Sequence, residues 1–390
     1  MYKYHCLNPI ADIGLNNFTE DYTKIDTRLG TNEDFANVCN NLHKEGIRVV
    51  LDGVFNHVGR GFWAFEDVLK NREQSSYVNW FGRIAFDGNS NYNDGLWYEG
   101  WEGNYDLVKL NLRNEEVIQH IFSAIKGWVD EFDIDGLRLD VAYCLDHDFV
   151  RRLRSFCNEL KPDFFLVGET LHGDYNQLMN DEMLHSVTNY ECYKGLYSSF
   201  NCMNMFEINH SLLRQFGPEN WTLYKGKHLL SFVDNHDVTR VASILTNKNH
   251  LPLIYALAFG MPGIPCVYYG SEWGAEGRKE DGDPALRPSF EKPEWNDLTE
   301  WISKLAEAKK QSKALQYGNF ISKVLTNGQC VFEREWEGER VYVAINAADS
   351  PFYAGFDAGA AEATDLITGE KIALNGGFEI PGYRAFFLRV

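Results

Sequence analysis

Four stretches of this 390-residue chain run from apolar residues into a carboxylate. They are Val49-Val-Leu-Asp52, Leu137-Arg-Leu-Asp140, Phe165-Leu-Val-Gly-Glu169 and Phe232-Val-Asp-Asn-His-Asp237. Read as a strand, Gly136-Leu-Arg-Leu-Asp140 sets Arg138 and Asp140 on one face and Leu137, Leu139 and Val141 on the other. An Arg beside an Asp favours the ionised carboxylate, which suits a nucleophile that attacks without first losing a proton. The same pair also reads as a plain structural ion pair. One acid at a strand end is commonly structural. Four that converge on one mouth are costly unless something there uses the charge.

The elements that must position these acids are βα units. Short apolar runs predict strands over 4–9, 47–52, 136–140, 164–169, 186–190, 229–234 and 265–269. Longer periodic stretches predict helices over 32–45, 114–131, 148–160, 194–216, 251–259 and 296–311. This alternation predicts an α/β fold, a (β/α)8 TIM-type barrel whose strand C-termini gather at one mouth. Residues 58–112, rich in Gly, Asn and aromatics, are too long for a simple βα loop and predict an inserted subdomain over that mouth. Most of its aromatics build its own core, leaving a few to line a sugar cleft. Residues 313–390 change to short β-like runs between turn signals, a C-terminal antiparallel β-sandwich domain. Within it, 358–363 reads as a low-complexity surface loop. The barrel is then 1–57 with 113–312.

The net charge of -19, from 37 Lys and Arg against 56 Asp and Glu, argues against nucleic acid and anionic membrane surfaces as partners. A neutral ligand fits better, and 20 Tyr, 26 Phe and 10 Trp supply flat apolar faces on which sugars stack. The eight cysteines form no CxxC pair and read as reduced thiols of a cytoplasmic protein. The sequence begins with no signal-type run, and no apolar run approaches membrane-spanning length.

Taken together these residues resemble the α-amylase family of glycoside hydrolases. Asp52-Gly-Val-Phe-Asn-His57, Gly136-Leu-Arg-Leu-Asp140, Gly168-Glu169-Thr170 and Phe232-Val-Asp-Asn-His-Asp237 look like its four motifs in order. Leu107-Val-Lys-Leu-Asn111 and Gly282-Asp-Pro-Ala-Leu-Arg287 are similar to further family segments. The resemblance implies Asp140 as nucleophile, Glu169 as general acid/base and Asp237 as transition-state stabiliser. Arg138, His57, His236, Asp52 and Arg287 would serve substrate binding, with Asp52 bracing Arg138. The apolar run before Glu169 is expected to favour its neutral form, as a general acid requires. Asn56 would brace the insertion or join a structural calcium site; no cofactor is required for the chemistry. Asp140-Val-Ala-Tyr-Cys-Leu-Asp-His-Asp148 and Phe62-Trp-Ala-Phe-Glu-Asp-Val-Leu-Lys70 look like the cyclomaltodextrinase, neopullulanase and maltogenic amylase branch.

The resemblance implies hydrolysis of α-1,4 bonds in maltodextrins or cyclodextrins, with transfer to a sugar acceptor as the same-site alternative. A homodimer is left open. One departure lies at the start: Cys6-Leu-Asn-Pro-Ile10 matches the family's second barrel strand, so the first β/α unit is expected to be missing. Leu15-Asn-Asn-Phe18 also replaces a His-Gly-Tyr-Asp-like run, with Phe18 as the stand-in sugar platform. That departure keeps a non-catalytic sugar- or partner-binding barrel as the rival from another class.

Overall fold

In the computed structural model of the chain, which describes residues 3–7 and 19–390, five short strands build one parallel sheet. In sequence and sheet order they are β1 (Lys3–Leu7), β2 (Ile47–Gly53), β3 (Gly136–Leu139), β4 (Phe165–Gly168) and β5 (Ser186–Val187). Helices α1 (Asn32–Lys44), α2 (Glu115–Phe132) and α3 (His147–Leu160) alternate with them, as parallel pairing requires. α1 begins where Thr31 and Asp34 cap each other's backbone N–H groups. α2 begins at Asn114, whose side chain accepts from the Glu116 and Val117 N–H groups. Along α2, Val117, Ile121, Ile125 and Trp128 recur at helical spacing and are buried. Gly136 is required by close approach: a Cβ there would stand 2.4 Å from the Phe165 carbonyl oxygen across the β3–β4 pair.

The chain divides into two compact units, Met1–Val187 and Thr188–Val390. The predicted insertion, 58–112, lies in the first. There His57–Gly59, Asn104–Lys109 and Gly100–Trp101 form a three-stranded antiparallel sheet. Helix Trp63–Asn71 packs Phe65 edge-on against Phe81 and Tyr98, so these aromatics do form a local core.

The second unit holds α4 (Tyr190–Asn201), α5 (Met205–Phe216), β6 (Leu230–Phe232), α6 (Leu251–Gly260), β7 (Ile264–Cys266) and α7 (Asp297–Gln311). β6 and β7 pair in parallel. α6 is apolar all round and buried from Leu253 to Gly260. At its C-terminus, the buried Lys309 Nζ donates to the Phe259 and Met261 carbonyls and the buried Arg334 Nη1 to that of Gly260. Two basic side chains thus donate to the carbonyls at the negative end of the helix dipole.

Eight strands follow: β8 (Asn319–Leu325), β9 (Gln329–Trp336), β10 (Glu339–Asn346), β11 (Phe352–Gly355), β12 (Glu362–Asp365), β13 (Lys371–Ala373), β14 (Gly377–Ile380) and β15 (Arg384–Arg389). Six form an antiparallel sheet in the order β8-β9-β10-β15-β12-β13, and β11 pairs with β14. Val331, Tyr342 and Leu388 of the large sheet share one core with Ala354, Phe378 and Ile380 of the pair.

Three local expectations are corrected. Residues 358–363 are only in part a surface loop: 359–361 form a largely exposed bend, but Ala358 and Ala363 are each 2% exposed, and β12 begins at Glu362. Small side chains suit a close approach to the sheet, where Tyr342 Oη donates to the Ala358 carbonyl at 3.1 Å. The single helix over 194–216 is two helices, broken where Met203 takes a φ of 46°. The break is tertiary in origin, since the Met205 N–H donates to the Asn327 carbonyl at 3.0 Å. Strand 186–190 is likewise shorter, because Asn189 caps α4 instead. Among the described residues no helix is long and apolar enough to cross a membrane.

Candidate active site

Sheet register creates the first cluster. Asp52 lies opposite Arg138 across the β2–β3 pair. Beyond the strand ends the ladder continues, with the Asp140 N–H on the Gly53 carbonyl (3.1 Å) and the Glu169 N–H on that of Leu139 (2.9 Å). The two-residue period then puts Arg138 and Asp140 on one face. Arg138 Nη1 donates to both oxygens of Asp52 (2.8 and 2.9 Å) and to Asp140 Oδ1 (2.9 Å). Its Nη2 stands 2.9 Å from Glu169 Oε2. One guanidinium therefore gathers three of the four strand-end acids.

The electrostatics follow from burial. Burial works against the Arg138 charge, yet Asp52, Glu169 and Asp140 outweigh it and hold the guanidinium well above its usual pKa. Burial pushes Asp52 up and Arg138 pulls it down; with the Asp140 charge added, it settles at about 6. Glu169 is buried at the end of its apolar run. It is 6% exposed, as the apolar run implies, but its Oε2 faces Arg138 and accepts the Val141 N–H at 3.1 Å. Val141 reaches it from a left-handed φ of 40°, rare for a β-branched residue and strained by roughly 1–3 kcal/mol.

His57 is buried, which lowers its pKa against the opposing pull of Asp140. Its Nδ1 accepts from Asn56 Nδ2 at 3.2 Å, which leaves the ring proton on Nε2 as a donor. Trp101, from the insertion, stacks on the ring at 5.5 Å and 25°. The Asn56 backbone carbonyl accepts the Leu110 N–H at 3.0 Å, which ties this backbone to the end of the insertion. The Asn56 side-chain amide is turned to His57, and among the described residues no group of three or more His, Cys, Asp or Glu could hold a metal ion.

The second unit carries the fourth acid. Asp237 stands between His236 Nε2 (3.1 Å) and Arg287 Nη2 (3.3 Å). Its loop is set by Asn235, whose Oδ1 accepts the Asp237 N–H at 2.8 Å and whose Nδ2 donates to Tyr190 Oη at 2.9 Å. Three residues upstream, the fully buried Asp234 accepts from the Val241 N–H (2.7 Å) and Ser271 Oγ (2.8 Å), and burial pushes it up to about 6. Phe18 lies outside the described residues. Sequence reasoning missed Trp101, Val141 and Asp234 as supporting residues. Only Asp234 carried a signal, being a carboxylate directly after Phe232-Val233.

Residues 7–319 match the family described as alpha amylase, catalytic domain. The chain belongs to the α-amylase family.

The match to the α-amylase family takes in every residue of both clusters and implies a (β/α)8 barrel followed by a β domain. The chain is 30% identical over 344 residues to a cyclomaltodextrinase of Thermoanaerobacter pseudethanolicus, covering 84% of this chain and 57% of that protein. It is 31% identical over 307 residues to an intracellular maltogenic amylase of Bacillus subtilis, covering 76% of this chain and 50% of that one. It thus spans only about half the length of these relatives. Among solved structures, the ligand-free cyclic α-maltosyl-(1→6)-maltose hydrolase of Arthrobacter globiformis superposes with a TM-score of 0.82 at 26% identity, over 100% of this chain and 86% of that one.

Proposed function

We propose that this chain is a retaining α-glucan hydrolase acting on the α-1,4 bonds of maltodextrins and cyclodextrins. The observation that carries the reading is the Arg138 guanidinium, joined to Asp140 and Glu169 at 2.9 Å each. A retaining glycosidase needs a nucleophile and an acid/base close together, about 5–5.5 Å apart. A pair bridged by one guanidinium supports that arrangement. Asp140 attacks the anomeric carbon as the glycosidic C–O bond breaks and Glu169 protonates the departing oxygen. Water then attacks the glycosyl–Asp140 ester, giving its proton to Glu169 and freeing the Asp140 carboxylate. His57 Nε2 donates to a sugar hydroxyl; Asp237 stabilises the positive charge of the transition state. Asp52 keeps Arg138 in place.

The names of the two relatives support the substrate class. A cytoplasmic setting is proposed on the free thiols at Cys39, Cys144, Cys157, Cys192, Cys202, Cys266 and Cys330 and on the relative named as intracellular. The test is turnover of maltotriose and of a cyclodextrin, alongside Glu169→Gln. The substitution should slow turnover by about 10²–10⁴-fold, and much less on a substrate whose leaving group needs no proton. An unmodified chain that releases no sugar sinks the reading. Product analysis on maltotriose separates hydrolysis from transfer to sugar.

A further inference from the structure

Arg287 reaches Asp237 from a segment that has no sheet of its own. Between β7 and α7 the chain makes only 3-10 turns at Ser271–Trp273 and Lys279–Asp281 and a short helix, Asp283–Leu286. Something else must fix where Arg287 stands. Arg240 is the residue that grips this segment. It is fully buried, at 0% exposure. Its Nη1 donates to the Tyr269 carbonyl (2.8 Å) and to Ser271 Oγ (3.1 Å), and its Nη2 to the Leu286 carbonyl (2.9 Å). Its own backbone N–H donates to the Gly277 carbonyl at 2.9 Å. The guanidinium also lies 4.6 Å from the Tyr268 ring centre, and Tyr268 Oη donates to the same Leu286 carbonyl at 3.2 Å.

The segment is thus held at residues 269, 271, 277 and 286, and the last grip is one peptide away from Arg287. The anchor is itself anchored: Ser271 Oγ donates to Asp234 at the end of β6, and Asp234 also accepts the Val241 N–H beside Arg240. We propose that Arg240 is a positioning residue that fixes the Arg287 guanidinium against Asp237. A buried guanidinium is expensive to desolvate, and its planar fork holds acceptors in fixed, diverging directions that the single nitrogen of a lysine does not span. Nearly all of its hydrogen bonds are spent on this one segment.

The role in turnover rests on the proposed glycosidase reading, so the test has one arm independent of catalysis. In that arm, amide hydrogen exchange is followed in the full chain carrying Arg240→Lys. Exchange over residues 276–287 should rise roughly tenfold or more while β9 and β10 stay unchanged. Unchanged exchange over 276–287 overturns the proposal. In the second arm, kcat and KM for maltotriose are measured in a double-mutant cycle with Arg287→Ala. Arg240→Lys should lower kcat/KM by roughly tenfold alone, yet less than about twofold when Arg287 is already gone. Equal losses in both backgrounds would mean that Arg240 merely stabilises the unit, and would overturn positioning. If Arg240→Lys does not fold, Tyr268→Phe runs both arms, since it removes only one donor from the Leu286 carbonyl. A chain with no turnover refutes the glycosidase reading while the exchange arm still judges the positioning.

Discussion

Arg138 decides what the nearby acids can do, because its two terminal nitrogens serve Asp52, Asp140 and Glu169 together. Asp140 is the only one of the three with appreciable side-chain exposure, 21% against 8% and 7%, which suits the group that must meet the sugar. Asp140→Asn should cut kcat by about 10⁴-fold or more. Binding of maltotriose by calorimetry should persist; binding lost along with the fold would make the pair structural instead. Asp234 supports a pH prediction. Burial raises it from 3.8 to about 6, so the folded state holds this proton more tightly than the unfolded one. Its contribution therefore favours folding at low pH and is lost as pH rises through about 6. Asp234→Asn removes that dependence while keeping an acceptor for Val241 and Ser271. Relative to the unmodified chain it should gain stability between pH 4 and 7, by up to about 3 kcal/mol, in urea titrations run across that range.

At the scale of elements, the proposed chemistry falls on β3 and β4 because their ladder runs past the strand ends and sets Asp140 and Glu169 side by side. That spacing depends on how closely the two backbones approach at Gly136. Gly136→Ala puts a methyl 2.4 Å from the Phe165 oxygen, so the strands must part. A loss of about 2 kcal/mol in urea unfolding is expected. kcat should fall more than KM changes, since the displaced pair is the one proposed to react; a stable variant with unchanged kcat would show that the two strands give way without moving the acids. The helices were legible in advance because Thr31, Asn114 and Asn296 announce their starts and apolar residues recur at helical spacing. The break between α4 and α5 was not, since the hydrogen bond from Met205 to Asn327 joins residues far apart in sequence.

For the whole molecule, a net charge of -19 would repel an anionic ligand and leaves a neutral glucan unaffected. kcat/KM for maltotriose should change by less than about twofold between 50 and 300 mM salt, measured by initial rates. A steep log-linear fall would point to a charged ligand. The order of elements, the change to antiparallel strands after α7 and the identity of all four strand-end acids could be read from the chain, because each is a local pattern of apolar residues, turns and carboxylates. What each acid touches could not. Arg138 was paired with Asp140 by spacing and with Asp52 by resemblance, but its bond to Glu169 depends on the register of β4 beside β3. The same holds for Val141, whose left-handed backbone turns an N–H onto Glu169, and for Arg240, whose acceptors lie 29, 31 and 46 residues away. Sequence by itself determined which side chains are available and on which element each stands. Only the tertiary structure decided which donor meets which acceptor, because hydrogen bonds and ion pairs form across strands and loops whose separation in the chain carries no local signal.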